Sequence, residues 1–148
     1  SVWLEASVKA EVYNNLFANT RFGVKRDPKK PEDKRSVSSN NWYYGYDQLT
    51  VDQFQVGKND IVEGINDVRG KFAGENNPKF VNYPLETSVN NYFFDAAWDF
   101  HLQGNSPALK GGTLAFKPHF IDGLVLSNGL SYSSPKPATY VGAWSAKL

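Results

Sequence analysis

Residues 40–47 read "NNWYYGYD" and place Trp42, Tyr43, Tyr44 and Tyr46 beside Asn40, Asn41 and Asp47. A flat apolar ring with polar neighbours is how a protein surface holds a sugar ring. Alternate residues of a strand face opposite sides, so Trp42, Tyr44 and Tyr46 share one face and Tyr43 takes the other. The chemistry expected of this stretch is carbohydrate contact through Trp42, Tyr44 and Tyr46, with Asn41 and Asp47 as polar partners. The competing reading is that every ring fills a core. It is decided by whether the rings are exposed.

Other chemistries find less in the chain. Ser106 lies in Gly-Asn-Ser-Pro, which is not the G-x-S-x-G elbow of serine hydrolases. His101 and His119 lack metal-motif spacing, and in a strand His101, between Phe100 and Leu102, points outward. Cysteine is absent, which excludes disulfides and thiolate zinc sites. Asp47, Asp52, Asp60, Glu63 and Asp67 are the carboxylates from which a calcium site would be drawn, with no EF-hand loop to organise them. No other cofactor is expected.

The 16 basic and 15 acidic residues leave a net charge of +1, so electrostatics give no case for nucleic acid or an anionic membrane. No apolar run approaches the length of a membrane span. The opening "SVWLEASV" has neither the basic start nor the apolar core of a signal peptide. Methionine is absent even at position 1, as in a chain that is processed or is a piece of a longer one.

The elements that must position these residues read as short strands. In residues 7–26, Val8, Ala10 and Val12, then Leu16 and Ala18, then Phe22 and Val24 alternate, with a slip at Asn14-Asn15 that marks a bend. Residues 27–36, "DPKKPEDKRS", form an exposed charged loop. "VDQFQVG" and "DAAWDF" are each long enough for one helical turn only. Asn-Asn pairs recur at 14–15, 40–41 and 76–77. Asn tolerates left-handed backbone angles, and stacked Asn amides satisfy one another when buried. This pattern predicts a solenoid. A compact β-sandwich is the alternative. It would need hairpin turns such as Asp122-Gly123 and Asn128-Gly129, and both lie in the tail, where a small antiparallel element is expected.

"AEVYNNLFANTRFGVKRD", "NNPKFVN", "WDFHLQGNSPALKGG" and "ATYVGAW" resemble the last coils of right-handed parallel β-helix proteins, a solenoid superfamily that includes polysaccharide lyases. Those coils carry "DPxFVN"-like and "DFHLxxGSPAIGxG"-like steps and a closing "YIGAF"-like segment. Asn77, Lys110 and Gly112 depart from the commoner choices. The resemblance implies an all-β right-handed parallel β-helix of three to four irregular coils over residues 1–112. Residues 113–148 would form an irregular cap, packed through Phe116, Phe120, Leu124, Leu126 and Trp144. It further implies earlier N-terminal coils on a longer parent chain. In the corner at 99–112, Gly104 would turn the chain, so Gly104→Val is expected to destabilise strongly.

The functional implication is an exported or cell-surface protein that binds or processes a polysaccharide. If it is an enzyme, it would be a lyase or glycoside hydrolase. Basic residues on a candidate coil, Arg21, Lys25 and Arg26, are the ones that would meet the glycan. No catalytic motif is present around them. The alternative from another class is a non-catalytic structural or adhesive surface protein.

Overall fold

The computed structural model describes residues 1–6, 9–85, 94–120 and 122–147. Val8 of the expected alternation lies outside them. The elements are short: β1 (Val2–Leu4), β2 (Glu11–Tyr13), β3 (Leu16–Ala18), β4 (Val24–Arg26), β5 (Val37–Ser39), β6 (Trp42–Tyr44), α1 (Gln48–Gln53), β7 (Val68–Arg69), β8 (Phe80–Asn82), β9 (Asp99–Leu102), a 3-10 turn (Pro107–Lys110), β10 (Leu124–Val125) and β11 (Ser131–Tyr132). Parallel pairs join β1 to β4, β2 to β5, β3 to β6 and β6 to β7. Antiparallel pairs join β8 to β9 and β10 to β11.

These pairings correct the expected right-handed parallel β-helix. The described strands fall into five separate sheets, four of two strands and one of three, and do not form a stacked solenoid. Strands of two to four residues supply ladders too short to merge, and both pairings beyond residue 80 run antiparallel. The described residues are mostly short strands and coil, and α1 is the one α-helix among them, six residues long.

The asparagine expectation holds in part. Asn14, Asn40 and Asn66 take φ of 56°, 55° and 56°, the left-handed region their short amides tolerate. Each is followed by a residue of one hydrogen-bonded ladder, centred on Asn41. Asn41 is fully buried, and its Oδ1 accepts from the Asn15 backbone N–H at 3.1 Å and from Asn15 Nδ2 at 3.0 Å. Below it, Asp67 Oδ1 accepts from the Asn41 backbone N–H at 2.9 Å. The third member is therefore Asp67 rather than the 76–77 pair. Asp67 also pairs with Arg69 at 2.8 Å, and Arg69 donates to the carbonyls of Phe54 and Val62.

Two apolar clusters lie on opposite sides of β6. Tyr43 sits with Leu4, Val12, Phe17, Val24, Val51, Phe54 and Val62. Trp42 sits with Leu102, Ala108 and Val141. The Arg69 guanidinium lies 3.7 Å from the Tyr43 ring centroid. Burial pushes the Tyr43 phenol up to about 12, with Arg69 opposing the shift. The folded pKa lies above the ordinary value near 10, so the stability it contributes is complete below pH 10 and is lost as pH rises towards 12. Urea unfolding from pH 9 to 12 should show wild type losing roughly 2–3 kcal/mol more than Tyr43→Phe. Parallel pH profiles of the two chains would contradict the assignment.

The corner at 99–112 is built differently from expectation at one point. Leu102 and Ala108 turn inward, and Ser106 caps the 3-10 turn by accepting from the Ala108 N–H. Gly104, however, is exposed, and a Cβ there would meet nothing within 4 Å. The tail returns against this corner through Gly112 N–H to Thr139 C=O and Val141 N–H to Ala108 C=O. Within the tail, β10 and β11 form the small antiparallel element, with Gly129 at φ 81° in its turn. Phe116 stacks on Tyr13 at 4.7 Å, while Phe120, Leu124, Leu126 and Trp144 are exposed; Val141 supplies the packing instead. Lys147 and the His101 N–H and imidazole hold the Asp99 carboxyl far below the usual carboxylate range, tying the end of the chain to β9.

Candidate functional site

The ring faces expected to meet a sugar are largely covered. Trp42, Tyr43 and Tyr44 are 6%, 0% and 1% exposed, and Tyr46 is half-buried. The alternation along β6 is as read, but both of its faces are packed. Trp42 Nε1 donates to Asn76 C=O at 2.7 Å, and the Tyr44 hydroxyl donates to Leu85 C=O at 3.4 Å. Asn41 is consumed by the ladder. Asp47 caps α1, accepting from the Thr50 N–H at 2.7 Å, and its hydrogen bonds from Thr50 hold its carboxyl below the ordinary value. The Tyr46 N–H donates to Asn19 Oδ1 at 3.0 Å. The side chains of Asn41, Trp42, Tyr44 and Asp47 thus hold backbone groups, and Tyr46 is itself held by Asn19.

The two basic residues stand elsewhere, beside the rings of Trp3 and Phe22. On the β1–β4 pair, Trp3 lies directly opposite Lys25, on the face away from the core side chains Leu4 and Val24. Trp3 is 56% exposed. The Lys25 ammonium sits 4.5 Å from the Trp3 ring centroid and 4.4 Å from that of Phe22. The Arg21 guanidinium lies 4.9 Å from the Phe22 centroid. Among the described residues neither Lys25 nor Arg21 forms an ion pair, whereas Arg26 is engaged by Glu32 at 2.9 Å. The result is a surface row of alternating rings and cations. Cation–π contact fixes each cation at little desolvation cost and leaves its hydrogen bonds open to a ligand.

Comparison with family models, with curated proteins and with solved structures returned no match. The resemblance to β-helix terminal coils thus has no counterpart there, and the site rests on its own geometry.

Sequence reasoning missed Trp3 and Phe22. Their signal was the alternation of Trp3 with Val2 and Leu4, but the partner strand lies 22 residues away and only the fold brings Lys25 under the ring. The remaining chemistry is dispersed. His119 meets Glu11 at 2.9 Å, and His101 meets Asp99 at 2.6 Å beside Trp144. Among the described residues no three His, Cys, Asp or Glu side chains gather closely enough to hold a metal ion, and no helix is long and apolar enough to cross a membrane. The calcium carboxylates are separated in role: Asp47 caps a helix, Asp52 accepts from Gln48, and Asp67 serves the ladder. The 27–36 loop is exposed along most of its length, with Glu32 turned inward to Arg26.

Proposed function

We propose that this protein binds a polysaccharide outside the cell through the Trp3–Lys25–Phe22–Arg21 surface. The observation that carries the reading is an exposed indole flanked by a cation that is free to hydrogen-bond. The indole supplies a stacking face, and the ammonium and guanidinium supply donors for hydroxyl or carboxylate oxygens. An open surface of this kind suits an extended chain that enters and leaves freely.

Affinity electrophoresis through gels containing single polysaccharides tests this directly. Migration of the wild-type chain should be retarded by at least one of homogalacturonan, arabinan, xylan or β-glucan. Trp3→Ala should weaken that retardation by about 10-fold and Lys25→Ala by a few-fold, both with unchanged thermal midpoints. Free migration in every gel by the folded chain would remove the proposal and favour the structural or adhesive alternative, to which the buried aromatics at 42–44 also fit.

A further inference from the structure

Trp42 and Tyr44 hold a different cleft in place. Their hydrogen bonds reach the two ends of residues 76–85, at Asn76 C=O and Leu85 C=O. Three further bonds pin this segment. Ser106 Oγ donates to Pro78 C=O, the Gln103 N–H donates to Lys79 C=O at 2.9 Å, and Asn19 Nδ2 donates to Leu85 C=O at 3.2 Å. The cleft so framed has a volume of about 520 Å³ and is lined by Asn77, Lys79, Phe80, Gln103 and the run from Tyr83 to Leu85. The volume falls within the range of small-molecule sites, and the cleft is open to solvent, with Lys79 and Gln103 exposed at it.

The aromatic wall adjoins the smaller core, against which Phe80 packs. Phe80 and Tyr83 meet edge-on at 5.9 Å, and Phe100 and Trp98 back them, 4.9 and 5.1 Å from Tyr83. The polar side is held in an unusual backbone. Lys79 has φ 53°, rare for a straight-chain residue, and Asn77 Oδ1 accepts its N–H at 2.8 Å to keep it there. Among the described residues the Lys79 ammonium forms no ion pair. Gln103 spends its amide N–H on Phe80 C=O at 2.9 Å, which leaves its amide oxygen as an acceptor.

We infer that this cleft is a second ligand site, independent of the Trp3 surface, and that it takes a small hydroxylated ring carrying a carboxylate. The ring packs on Phe80 and Tyr83. The carboxylate meets the Lys79 ammonium and the Asn77 amide, and a ring hydroxyl donates to Gln103. A phenolic acid and a monomeric uronic acid both have this chemistry, and the test separates them.

Isothermal titration calorimetry of the whole chain with 4-hydroxycinnamate and, separately, with galacturonate is the measurement. The expected result is saturable binding of one of the two, and the one that binds names the source. Lys79→Gln and Tyr83→Ala should each weaken it by about 10-fold. Lys30→Gln, an equal charge change on the exposed loop, and Trp3→Ala should leave it unaltered. Thermal midpoints of all four variants show that each is folded. The inference is overturned if neither compound binds, or if binding survives both Lys79→Gln and Tyr83→Ala. Loss of binding in Trp3→Ala would also overturn it, by assigning the ligand to the first surface.

Discussion

Gly112→Ala should lower the thermal midpoint by about 6–12 °C, the equivalent of roughly 3 kcal/mol in a domain of this size. A Cβ at Gly112 would collide with the carbonyl oxygens of Ala138 and Tyr140 and with the Thr139 carbonyl carbon. These are backbone atoms, so no side chain can swing aside. The tail segment at 138–142 would have to retreat. Its hydrogen bonds from the Gly112 N–H to Thr139, from the Val141 N–H to Ala108 and from the Gly142 N–H to Asn14 would be stretched together. Val141, fully buried against Trp42, Leu102 and Ala108, would be the first apolar loss. Gly104→Ala is the matched control: the site is open, its φ is not positive, and its midpoint should stay within about 1–2 °C of wild type, as for an ordinary surface change. Calorimetry of the two variants checks both statements, and equal midpoints would mean that the tail does not pack on the corner at 108–112.

Asn41→Leu carries the second large effect, about 3–5 kcal/mol. Leucine is close in volume, so the cost is polar. The substitution removes the acceptor for two Asn15 donors and the side-chain donor to Ser38 Oγ and Val12 C=O. It also strips a side-chain donor from Asp67, whose carboxylate is 3% exposed. A buried donor left without a partner costs about 1–3 kcal/mol, and a buried carboxylate that loses a donor costs more. The Asp67–Arg69 pair supports Phe54, Val62 and the Tyr43 ring, so the damage spreads into the larger core. Lys29→Ala, on the exposed loop, should change urea stability by less than about 0.5 kcal/mol. A small loss in Asn41→Leu would mean that the ladder is solvated and does not organise the fold.

The ladder shows what the sequence made legible. An Asn-Asn pair beside apolar alternation marks a left-handed residue followed by an amide of the ladder, and Asn14-Asn15 and Asn40-Asn41 are both of this kind, with Asn15 half-buried and Asn41 buried. The next member was not legible, because Asn66-Asp67 keeps the left-handed Asn but replaces the amide by a carboxylate that needs Arg69. The 42–46 stretch was half legible. Its alternation follows from strand geometry, but its burial depends on Val141 and Ala108, far along the chain, which no local pattern reports. The solenoid expectation extended a true local feature, short parallel pairs, into a continuous stack that the separate sheets and the antiparallel β8–β9 pairing do not make. At the candidate site, Lys25 and Arg21 were legible as basic residues on a candidate coil, of which Lys25 lies on β4 and Arg21 just before it. Trp3 was not, since its importance arises only when β1 lies beside β4.

The most direct test is a glycan array probed with three folded chains: wild type, Trp3→Ala and Tyr46→Ala. Tyr46 is the aromatic of the 42–46 stretch that is not buried, so it stands for the rival position. Binding by wild type and Tyr46→Ala but not by Trp3→Ala is the result expected if the β1–β4 surface holds the sugar. Binding that survives Trp3→Ala and vanishes in Tyr46→Ala would contradict it, and so would the absence of any binding by the wild-type chain.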